Sequence, residues 1–158
     1  KYGNADLDNF LQTSYDICVS LKEAEKLLSE VNEFLENPNL YVTKKVSKEI
    51  SKVKNQVEEV SNLGETVSKE IEDAIEKQKE YLKTQLLNMV KKRLPEIITG
   101  VGKALGASGG ALDGAKGLPG MDKLKAAKDA GSAVKNLKTI ADTAPKVLDE
   151  LNLLLSKF

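Results

Sequence analysis

Residues 7–35, LDNFLQTSYDICVSLKEAEKLLSEVNEFL, carry the pattern that decides the fold. Leu7, Phe10, Ser14, Ile17, Leu21, Ala24, Leu28, Val31 and Leu35 alternate at spacings of three and four. Such spacing puts them on one face of a helix, an a/d stripe of about four heptads with Ser14 as its polar member. Leu11, Cys18 and Phe34 widen the stripe, as a helix packed into a bundle requires. Asn4 or Asp6 can cap its start. Asn37-Pro38-Asn39 ends it, because the residue before a proline avoids helical φ/ψ. The expectation is a helix over 6–36.

Working outward, the stripe resumes at Val46 and runs through Ile50, Val53, Val57, Val60, Gly64, Val67, Ile71, Ala74, Gln78 and Tyr81. Pro38 capped by Asn37, or the later Thr43, can open this second helix. The heptad phase passes Gly64 without a slip, so one long helix is expected over 42–94, with a kink at Gly64 as the alternative. After Tyr81 the apolar residues Leu82, Leu86, Met89, Val90 and Leu94 shift by one position, which calls for a new packing partner there.

Pro95 reads as a break. Residues 96–120 then form a Gly/Ala-rich connector in which Gly102, Gly106, Gly110 and Gly114 make three consecutive GxxxG steps. Gly117-Leu118-Pro119-Gly120 signals a turn. Two C-terminal helices are expected, over 122–142 and 145–157, separated at Pro145. The inward face of the first is read as Leu124, Ala127, Gly131, Val134, Leu137 or Lys138, and Ala141, with Ile140 beside it. Nothing alternates with a period of two. The fold class is therefore all-α: an elongated antiparallel helical bundle, coiled-coil-like, built on one long central helix as a single domain over 1–158. In it, helix 6–36 lies along the earlier part of 42–94 and the C-terminal helices along the later part. A compact four-helix bundle cut at Gly64 is the alternative.

Composition narrows the chemistry. Aromatic residues are 4% of the chain and Trp is absent, so aliphatic side chains must build the core. Lys plus Arg and Asp plus Glu number 24 each, which lacks the basic excess of a nucleic-acid-binding protein. The charge instead alternates in blocks: acidic to Glu36, basic over Lys44 to Lys54, acidic over Glu58 to Glu80, basic again to Arg93. Antiparallel neighbours can pair such blocks, although solvated faces with local i,i+4 pairs account for them equally well. His is absent, which removes the commonest general base and metal ligand. No catalytic residue, metal ligand or cofactor is assigned, and the glycine-rich segment matches neither GxxxxGK[ST] nor a strand-preceded dinucleotide loop. Cys18 stands alone on the apolar stripe, where it reads as a core residue. A start at Lys1 rather than Met implies residues upstream, either a removed leader or a trimmed start, and the compartment stays open.

Two sets of residues are candidates for interaction. Ile97, Ile98, Gly102, Gly106, Gly110 and Gly114 line a segment that either packs tightly against the bundle or meets a membrane. Leu148, Leu151, Leu155 and Phe158 make the last helix one-sided, and either dock it or receive a partner. The leading expectation is a non-enzymatic scaffold or adaptor that binds another protein, or itself, through apolar helix faces. The alternative is a lipid-interacting protein using 97–118, with Lys91-Lys92-Arg93 beside it suited to an anionic surface. A helical hairpin with a Gly/Ala-rich apolar end is loosely similar, in architecture and without a shared motif, to the α-helical pore-forming toxins.

Overall fold

The computed structural model describes residues 1–53 and 63–158, with side chains described for 1–45 and 69–158. It is an all-α helical bundle: α1 (Ala5–Glu36), α2 (Pro38–Val53), α3 (Leu63–Asn88), a π-helical turn (Met89–Arg93), α4 (Leu94–Lys116) and α5 (Gly120–Leu155).

α1 forms as the stripe predicts. Asn4 caps it, its Oδ1 accepting from the Leu7 N–H at 3.0 Å. Asp8 in the first turn reaches back to the Tyr2 and Gly3 N–H groups at 2.7 and 3.0 Å. Gly3 sits at φ +81°, a conformation that favours glycine. Ser14, buried in the stripe, is satisfied by donating to the Phe10 carbonyl at 2.8 Å. Toward the C-terminal end the buried positions become Leu27 and Phe34 in place of Leu28 and Leu35, which stay half-buried. α2 opens at Pro38, earlier than residue 42, with Asn37 Oδ1 accepting from the Leu40 N–H at 3.0 Å.

The course beyond α2 departs from the expected single helix over 42–94. A straight helix would hold Tyr41 and Gln78 about 55 Å apart. Instead Gln78 Nε2 lies 3.4 Å from the Tyr41 hydroxyl, so α2 and α3 are antiparallel neighbours. The expected helical course through 54–62 lies outside the described residues, and Gly64 belongs to the first turn of α3. Basic α2 therefore stands beside acidic α3.

A long helix does exist, displaced along the sequence: α3, the π turn and α4 follow one another from 63 to 116, about 80 Å at 1.5 Å per residue. Pro95 does not break it. At the π turn the Leu94 N–H bonds the Met89 carbonyl, five residues back. This wider turn relieves the clash that a proline ring makes with the carbonyl four residues before it. Its signature in the core is a five-residue step, with Leu82, Leu86 and Met89 followed by Leu94, Ile97, Val101 and Ala104. The shift expected after Tyr81 has its partner there, because from Leu82 onward this helix meets α1 and α5.

The expected connector over 96–120 is thus a helix, α4, and it packs between α1 and α5. Consequently α1 lies along α4 rather than along the earlier part of 42–94. Its direction follows from three contacts: Asn4 at Gly114, Ile17 at Gly100, and the Glu23–Arg93 ion pair. α5 runs parallel to α1, from the Tyr2–Asp129 hydrogen bond to the stacked rings of Phe34 and Phe158. It is one helix through Pro145, whose exposed ring leaves Ala144 and Val147 in the core. Its inward face is Ala126, Ala130, Ala133, Leu137 and Ile140: Leu137 and Ile140 are buried as expected, the alanines lie one position before Ala127, Gly131 and Val134, and Leu124 is exposed. Toward the 117–119 turn the buried edge of α4 is made of Ala104, Ala111 and Ala115, and α4 packs against both α1 and α5.

The fully buried Leu82, Leu86, Leu94, Leu137 and Leu151 contribute about 1.5–3 kcal/mol each by leaving water. The exposed Glu23–Arg93 and Glu33–Lys44 pairs contribute at most about 1 kcal/mol each.

The N-terminal clasp gives the first prediction. Donating to the Asp129 carboxylate pushes the Tyr2 phenol up to about 12. The stabilisation this implies is complete below the ordinary tyrosine pKa of about 10 and is lost as pH rises through the folded value. Absorbance titration is expected to show one of the four tyrosines ionising late, with that phase missing in Tyr2→Phe. Asp8 behaves oppositely: the Tyr2 N–H lowers its pKa, so its contribution is present above the usual carboxylate range and fades on acidification.

Candidate interaction surfaces

Three helix faces are candidates for interaction, and the structure distributes the residues singled out in the sequence among them unequally. In α4, Ile97 is buried and Ile98 is half-buried against the core. The inner edge of the helix is carried by Leu94, Ile97, Val101, Ala104, Ala111 and Ala115. Gly102, Gly106 and Gly110 lie on the opposite, exposed side. A Cβ placed on any of them, or on Gly109, meets nothing within 4 Å. The tight packing expected of these glycines is therefore absent, because the step at the π turn aims the alanines inward and the glycines outward. Gly114 alone is crowded: a Cβ there would come within 2.5 Å of the Asn4 Oδ1 that caps α1.

Lys103 stands beside this exposed strip. An open groove between α1 and α4 runs past Asp6, Asn9, Thr13, Lys103, Gly106 and Ala107. A second open depression borders Lys91, Lys92, Thr99 and Lys103. Among the described residues no three His, Cys, Asp or Glu side chains cluster as a metal site requires.

At the C-terminal end, Leu151 is fully buried, and Leu148, Leu155 and Phe158 are half-buried against the core. Phe158 stacks on Phe34 with ring centroids 6.3 Å apart, and Phe34 meets Tyr41 edge-on at 5.7 Å. These residues dock α5 onto the bundle. The exposed leucine of this helix end is Leu153.

The third face lies on the α2–α3 arm and was not singled out by residue. Burial is complete at Val42 and Leu82, but Ile71, Ala74, Ile75 and Gln78 are only half-buried. The geometry is consistent with this: α5 ends at the Phe34–Tyr41 level, and among the described residues the arm beyond it is formed by α2 and α3. Lys44 and Lys45 are exposed on α2, and exposed Glu70 and Glu72 flank the stripe on α3, with Asp73 and Glu76 on its opposite face. The stripe through Ile71 and Ala74 was visible in the sequence. That it runs past the end of its covering helix depends on where α5 stops.

The glycine placement is tested by unfolding. Gly106→Ala and Gly110→Ala are each expected to stabilise the protein by up to about 1 kcal/mol, the ordinary helix-interior difference. Gly114→Ala is expected to cost about 1 kcal/mol by displacing the Asn4 cap. The pair Gly106→Leu/Gly110→Leu should fold normally, whereas tight packing would make it lose about 1–3 kcal/mol. No protein-family model matches the chain, and neither a curated protein nor a solved structure matches it.

Proposed function

We propose that this protein is a non-enzymatic helical scaffold or adaptor that binds another protein, or a second copy of itself, along the apolar seam of α2 and α3. The observation that carries this reading is the half-burial of Ile71, Ala74 and Ile75 beyond the end of α5. A helix laid along the seam would complete the third side of the arm and remove these side chains from water, for on the order of 1 kcal/mol each. The basic edge of α2 and the acidic edge of α3 would orient such a helix, since flanking charge acts chiefly on register and encounter.

The test places a photo-crosslinking side chain at position 75, with exposed position 73 on the opposite face of α3 as control. Position 75 is expected to yield a discrete protein adduct in the cells that make the protein, and Ile71→Lys is expected to abolish it. The same variant should change folding stability by less than about 1 kcal/mol, because the site is half solvated. Sedimentation over a concentration series assigns the adduct: concentration-dependent association points to a second copy, a strict monomer to a different protein. Absence of any adduct at position 75 overturns the proposal.

A membrane-surface reading draws on Lys91, Lys92 and Lys103 around one depression beside α4, since each lysine near an anionic bilayer contributes about 1 kcal/mol. Insertion of residues 97–118 into lipid would in addition require Ile97 and Val101 to leave the core. No described helix is long and apolar enough to cross a membrane. Anionic vesicles at physiological salt are expected to leave the protein in the supernatant. Salt-sensitive co-sedimentation would place this reading ahead of the scaffold.

A further inference from the structure

We draw no further inference here: the strongest candidate, the outward face of α4 from Gly102 to Asp113, is a stripe of small residues with no second feature pointing to a ligand, and nothing in the structure shows what covers it.

Discussion

Leu94, Ile97, Val101, Ala104, Ala111 and Ala115 make the buried inner edge of α4, and α1 and α5 both close on it. The side chains shrink along this edge, from leucine and isoleucine at the π turn to alanine at the α4–α5 turn. Helix separation follows side-chain size, and small side chains at the alanine end permit a close approach. There Gly114 leaves space for the Asn4 cap, and Tyr2 reaches Asp129 on α5. At the other end Arg93 joins Glu23, and the larger leucines and Phe34 fill the wider core. The placement of α1 and α5 is thus a consequence of how this one edge is buried.

The five-residue step from Met89 to Leu94 makes that edge available. An α-helical continuation would carry the buried face of α3 around to a different side of α4 and would press Pro95 against a carbonyl. The π turn resolves both conflicts through one wider turn. It has a cost elsewhere on the helix. With the alanines inward, Gly102, Gly106, Gly109 and Gly110 face solvent, where they weaken the helix and support no neighbour. Burial of the inner edge must offset that loss.

Among the described residues, the same arrangement divides the bundle into a three-helix base and an arm formed by α2 and α3. In the base, the inward stripe of Leu82, Leu86, Met89, Leu94, Ile97 and Val101 is buried. In the arm, the half-buried Ile71, Ala74, Ile75 and Gln78 of α3 keep part of their surface in water. The proposed binding role rests on this difference in enclosure, and the charged borders of α2 and α3 frame the same strip.

The sequence by itself determined the all-α class, the start and end of α1, its buried face through Ala24, the Asn37-Pro38 junction and the turn at 117–120. Each is a local matter of periodicity, capping or a residue with restricted φ, readable within one or two helical turns. It also displayed the shift after Tyr81 without its cause. Pro95 and Pro145 were read as breaks because a lone helix would break there; in the bundle, a π turn at the first and a packed face around the second keep the helices whole. The unbroken phase at Gly64 suggested continuity, yet periodicity records which residues share a face and not whether the chain has reversed. The glycine spacing showed a smooth strip, and only the tertiary structure decided that it points outward. Likewise, the candidate leucines and Phe158 of α5 became docking residues and the α2–α3 seam became the open one. Both outcomes depend on where α5 ends relative to the arm, a relation between distant segments that no local pattern encodes.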